Sequence, residues 1–212
     1  MSLRSDSEFQ ERAHALSLIV RSFGAKGWVA ATSSNFSFVH KDLIAISISG
    51  RNKARFTPDD LMLVDHSNKA IEPVDGRSSA EALIHTKLYE KLETKVVFHT
   101  HSPKATVLSR RFAKKGEIAF KGYEVVKAMP GFNSHEQDLV IPILPNSQDM
   151  ESFSKALDSK LDEWKNPVAF LIEGHGLYTW ADDLASAERH VEACEFLLDC
   201  FFQELTLNAT QL

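Results

Sequence analysis

Cysteine is scarce in this 212-residue chain, which has only Cys194 and Cys200. A helix sets residues at that spacing on different faces, so a bridge between them is not expected. Two free thiols suit a reducing cytoplasm. The chain also lacks any run of 18 uncharged apolar residues, so no membrane-spanning helix is expected. The Met1-Ser2-Leu3-Arg4-Ser5-Asp6 start offers no apolar stretch and no small-residue cleavage site, so no secretory signal is expected. Positive charge is thin. Formal net charge is −5, and the densest basic cluster, Arg110 to Lys115, reads as a solvated loop rather than a nucleic-acid surface. No repeat, low-complexity tract or linker interrupts the chain. Hydrophobic residues make up 43% and charged residues 25%, a globular balance. One domain over residues 1–212, with a core that needs no disulfide, is the expectation.

Periodicity divides the chain into alternating helices and strands. Ser5 and Glu8 have capping-box spacing, and Phe9, Ala13, Leu16, Val20 and Phe23 follow at helical period, with Gly24 as a possible stop. Residues 35–39 and 43–48 read as strands around a polar turn. Thr57-Pro58-Asp59-Asp60 reads as a helix start. Further helices are expected over about 79–92, from Pro103 onward, and over 148–164. Strands are expected over 96–101, 139–144 and 168–173. Leu184, Ala187, Val191, Cys194, Leu198, Phe201 and Leu205 form a helical stripe that belongs to a core or a subunit contact. The class is α/β layering.

Nine histidines are present, so most are bystanders. His99 and His101 differ because they stand i, i+2 in an apolar strand, where side chains two apart point the same way. Two neutral imidazoles side by side can share a divalent ion. Taken alone, a His-x-His pair is more often satisfied by hydrogen bonds at a strand end. His175 strengthens the case: it follows the apolar strand Val168 to Glu173 and lies between Gly174 and Gly176. Three histidine ligands leave a position open, as catalytic zinc requires.

Three segments carry small hydroxyl, amide and glycine groups: Ser34-Asn35, Ser49-Gly50 and Ser78-Ser79. Backbone N–H groups, hydroxyls and a helix N-terminus bind phosphate well, and Lys53 or Arg51 could add charge. Taken singly, each segment reads as a turn or a cap. Glu81 has capping-box spacing from Ser78, so structure and chemistry compete for it. Glu124 alone reads as a surface carboxylate.

Taken together and in order, Thr32 to Ser37, Ser49-Gly50-Arg51, Ser78 to Glu81, His99-Thr100-His101 and Gly174-His175-Gly176 resemble the class II aldolase/adducin family. The resemblance covers nearly the whole chain. Ser49 to Lys53, His99 to Ser102, Gly122 to Ala128 and Gly174 to Trp180 are similar to a branch of that family that removes water from phosphorylated ketoses. It implies a three-layer α/β/α sandwich around a mixed, largely antiparallel sheet, assembled as a homotetramer. It also implies one zinc ion per subunit on His99, His101 and His175. Asn35, Ser49, Gly50, Lys53, Ser78 and Ser79 would hold the phosphate of a small-molecule ketose. Where Ser34 stands, the family usually has glycine. Glu81 is the acid/base beside the metal in the aldolases and varies in the dehydratases, where Glu124 takes that part. The chemistry implied is loss of the C3 proton to a carboxylate and of hydroxide from C4. Competing readings are a sugar-phosphate aldolase or epimerase on the same scaffold, and an adducin-like binding module without chemistry. The three retained histidines argue against the latter.

Overall fold

A computed structural model describes residues 2–209. Its helices are α1 (Ser7–Ala25), α2 (Ala82–Leu92), α3 (Pro103–Phe112), α4 (Met150–Glu163) and α5 (Leu184–Ala209). Its strands are β1 (Asn35–His40), β2 (Leu43–Ser47), β3 (Leu61–Val64), β4 (Ala70–Glu72), β5 (Val96–Thr100), β6 (Glu117–Phe120), β7 (Leu139–Leu144), β8 (Ala169–Ile172) and β9 (Gly176–Ala181). They form one sheet in the order β4-β3-β2-β1-β5-β9-β8-β7-β6. Every neighbouring pair is antiparallel except β7 and β8.

Period-2 burial explains the layering. In β5, Val96 and Phe98 face the core under α1, while Val97 faces the core under α2 and α4. One face carries α1 and α5 through Phe9, Leu16, Val20, Ala187 and Val191, then α3 and α5 through Ala105, Leu108, Cys194 and Leu198. The other carries α2 and α4 through Ile84, Leu88, Phe153 and Leu157. The α5 stripe is thus core, and it separates buried Cys194 from half-buried Cys200, both free. No described helix is long and apolar enough to cross a membrane.

Several local expectations change. Asp6, not Ser5, caps α1, accepting from the Glu8 amide at 2.9 Å. Gly24 is the penultimate residue of α1, and it is close packing that calls for glycine there: a β-carbon would meet the Ala54 α-carbon at 2.9 Å. Thr57 to Asp60 does form a capping box, but the helix stops after one 3₁₀ turn and becomes β3. The helix expected from about Ser79 begins at Ala82. The short strands β3, β4 and β6, and β9 after the glycines, complete the sheet.

Candidate metal centre and phosphate cleft

β5 and β9 pair in antiparallel register, with His99 opposite Tyr178 and Thr100 opposite Leu177. His101 follows β5 directly, and its amide donates to the Trp28 carbonyl at 2.7 Å. His175 sits in the turn between β8 and β9. These elements bring three imidazoles together: His99 Nε2 lies 2.6 Å from His101 Nε2 and 3.4 Å from His175 Nε2. Two nitrogens about 2.0 Å from one tetrahedral ion would lie roughly 3.3 Å apart, close to the His99–His175 separation. The tautomer also fits. His99 Nδ1 is 2.9 Å from the Leu177 carbonyl, which can only accept. Nδ1 therefore carries the proton, and Nε2 presents its lone pair to the cluster. The donor set of His99, His101 and His175 suits a divalent ion.

Two of these imidazoles, His99 and His101, are held neutral. Burial, and then repulsion from His101, push His99 well below the usual imidazole range. Burial, and then His175, push His101 down to about 4. Behind them the Tyr178 ring stacks on His99 at 4.0 Å between centroids, and Phe170 stacks on Tyr178 at 5.0 Å. Stacked rings restrict His99 to one plane and keep water from its back face.

Glu81 faces this cluster rather than capping α2: its side chain makes no cap hydrogen bond. Oε1 lies 3.0 Å from His175 Nε2 and 3.9 Å from His99 Nε2, while Oε2 accepts from Asn35 Nδ2 at 2.6 Å. Burial opposes its ionisation, but the hydrogen bonds from His175 and the Asn35 amide hold the carboxyl well below the usual carboxylate range.

Beside the cluster lies a polar cleft of about 160 Å³, lined by Ser34, Asn35, Ser49, Gly50, Lys53 and Ser79 among others, with Glu81 and His101 at the same site. Lys53 is buried, and its ammonium donates to the Arg51 carbonyl at 3.1 Å. Among the described residues no carboxylate lies within ion-pair distance of it, and burial pulls it down to about 8. An anion in the cleft would supply the missing counter-charge. Ser34 adopts φ +72°, a left-handed conformation that costs a β-carbon-bearing residue about 1–2 kcal/mol. Glycine would adopt it without that cost. Among the described residues the buried Ser34 hydroxyl has no hydrogen-bond partner. Ser78 lines a neighbouring depression with Arg77 and Ala80 instead.

Glu124 lies elsewhere. It begins a 3₁₀ turn, is exposed, and pairs with Lys127 and with His135 Nδ1 at 3.5 Å. It is not among the residues lining the cleft. The sequence reading missed three parts of this site: the Asn35 contact to Glu81, the Tyr178 stack, and His85, whose Nε2 meets Asn35 Oδ1. The signal for the last was present, since Glu81, His85 and Tyr89 follow one another at i, i+4 and i+8.

The class II aldolase and adducin N-terminal domain profile matches residues 14–202. The methylthioribulose-1-phosphate dehydratase of Stenotrophomonas maltophilia is 46% identical over 92% of this chain and 91% of its own. That of Xanthomonas euvesicatoria pv. vesicatoria is 42% identical over 98% and 95%. Among solved structures, L-fuculose-1-phosphate aldolase from Thermus thermophilus superposes with a TM-score of 0.74 over 93% of this chain and 98% of that one, at 22% identity, which shows the shared fold. With its histidine cluster and cleft in place, this chain belongs to the class II aldolase and adducin N-terminal domain family.

Proposed function

We propose that this protein is a metal-dependent hydro-lyase that converts 5-methylthioribulose 1-phosphate to 5-methylthio-2,3-dioxopentyl phosphate and water. The observation that carries the reading is one juxtaposition. Three clustered imidazoles and a carboxylate stand beside a hydroxyl-lined cleft with a buried lysine. Names of relatives aligned over nearly their whole length narrow the substrate.

His99, His101 and His175 would hold the ion, which we propose is zinc, one per subunit. A divalent ion there supplies a Lewis acid that polarises a bound carbonyl and acidifies the neighbouring C–H. Lys53, the Ser49 and Ser79 hydroxyls, the Gly50 amide and the remaining Asn35 N–H bind and orient the phosphate. Glu81, fixed as an anion, holds an acceptor beside the imidazoles.

A carboxylate must then take the C3 proton and assist departure of the C4 hydroxyl, after which the enol ketonises to the diketone. Glu124 is proposed for that part. A general base works only within hydrogen-bond reach, and Glu124 is exposed and outside its own chain's cleft. It would therefore act on the centre of a neighbouring copy in a homotetramer.

Elemental analysis tests the metal centre. Purified protein should carry about one divalent ion per chain. His99→Ala, His101→Ala and His175→Ala should each lose most of it, while His14→Ala and His66→Ala keep it. Full metal content in the His99→Ala/His101→Ala double variant would sink the assignment.

A further inference from the structure

Behind Glu81, a buried chain of hydrogen bonds runs between β1 and α2. Asn35 Nδ2 donates to Glu81, and Asn35 Oδ1 meets His85 Nε2. His85 Nδ1 is 2.6 Å from Ser37 Oγ, which is 2.5 Å from the Tyr89 hydroxyl. The two elements are commensurate. Asn35 and Ser37 are two apart on a strand, a rise of about 6.7 Å. Glu81, His85 and Tyr89 are four apart on a helix, a rise of about 6 Å per step. Each strand residue therefore bridges two successive helix residues.

The direction of every bond follows from one end. A carboxylate only accepts, so Asn35 must turn its amide nitrogen to Glu81 and its oxygen to His85. His85 Nε2 must then donate, which leaves Nδ1 bare to accept from Ser37. Ser37 has spent its only proton, so Tyr89 donates to it. Each donor points toward Glu81. His85 is fully buried, and burial pushes it down to about 3, so it is neutral and has a single tautomer to choose.

We propose that His85 is a positioning residue for the metal centre. As an Nε2–H tautomer fixed by Ser37 and Tyr89, it locks the Asn35 amide in one orientation and so holds the Glu81 carboxylate in place beside the histidine cluster. If His85 carried its proton on Nδ1, Asn35 would have to flip and present its oxygen to Glu81, which would repel the carboxylate from its place.

This inference rests on the reading that Glu81 works at the metal centre. Its test separates the two. In ¹⁵N-histidine NMR of the metal-loaded protein without substrate, the His85 signals should report protonated Nε2 and bare Nδ1. Ser37→Ala should perturb them. A wild-type Nδ1–H tautomer, or a His85 signal unchanged in Ser37→Ala, overturns the proposal whatever reaction the protein performs.

Two replacements test the consequence. His85→Gln can still donate to Asn35 and accept from Ser37, so it should keep kcat within about threefold. His85→Leu has similar bulk and no donor. It should keep its metal and its KM but lose kcat by on the order of tenfold or more, the scale of a small misplacement of a reacting group. Equal kcat in both variants, with only their melting temperatures lowered, would mean a structural role alone. Should His85→Leu fail to fold, Ser37→Ala decides the matter through its tautomer signal and a kcat loss at unchanged KM.

Discussion

Gly176 passes so close to Thr100 that a β-carbon on it would lie 2.0 Å from the Thr100 carbonyl oxygen and 3.1 Å from His99 Cε1. This contact lets β9 run beside β5 where the imidazoles converge. Gly176→Ala should force the strands apart at that point and cost about 3 kcal/mol in chemical denaturation. It should also lower the metal content, because His99 and His175 would separate. An alanine variant with wild-type stability and full metal would show that the strands yield freely.

Lys53 ties the phosphate reading to pH. Burial has pulled it down to about 8 from an ordinary lysine near 10.5, so the free protein loses this ammonium as pH rises through about 8. Since kcat/KM reports the free enzyme, it should fall along that limb. Lys53→Arg stays charged and should move the limb to higher pH. Lys53→Met should lose roughly ten- to hundredfold in kcat/KM at neutral pH, the value of a charged hydrogen bond. A limb unchanged in Lys53→Arg would remove Lys53 from the phosphate site.

How much of this was legible beforehand depended on the range of the signal. His99 and His101 could be paired because a strand has period 2, and the α5 stripe because a long helix repeats its face many times. Leu61 to Val64 was not legible as a strand: four apolar residues carry no period, and the capping box before them pointed to a helix. Glu81 was ambiguous because capping and catalysis use the same spacing. The fold turns its carboxylate to His175 and away from the α2 cap, a placement that no local spacing encodes. The clustering of Asn35, Lys53 and Glu81 depends on a sheet order that no local pattern encodes. The fold class, by contrast, followed from motifs spread along the whole chain.

Glu195 should set a pH trend in stability. Burial raises it to about 7, against the hydrogen bonds from Ser102 and Thr100, from an ordinary value near 4.5. Between those values the folded state holds a proton that the unfolded state has released. Its contribution to stability is therefore present below about pH 4.5 and lost as pH rises through about 7. Glu195→Gln keeps an acceptor for Thr100 and removes the titration. Relative to wild type it should gain stability at pH 8 compared with pH 5, read from denaturation midpoints. Parallel curves for the two proteins would contradict this.

Glu124 and the histidine cluster can be separated genetically. Glu124→Gln should keep its metal and lose activity by on the order of a hundredfold or more. His101→Ala should lose both. If Glu124 serves a neighbouring copy, oligomers assembled from the two inactive variants contain some sites with both groups intact. Random pairing predicts recovery of about a quarter of wild-type activity. Mixed oligomers, verified by mass, that stay inactive would refute action between copies.

The most direct test of the central claim is product identity. Metal-loaded protein given 5-methylthioribulose 1-phosphate should release a 2,3-diketo phosphate and no two- or three-carbon fragment, as read by mass spectrometry. Omitting the phosphate from the substrate should weaken kcat/KM severely, because the cleft donors would be left unpaired. Replacing the thiomethyl group by hydrogen should cost less, about 1–3 kcal/mol. If the protein instead cleaved fuculose or rhamnulose 1-phosphate to a triose phosphate and an aldehyde at higher kcat/KM, the account of it as a dehydratase would be wrong.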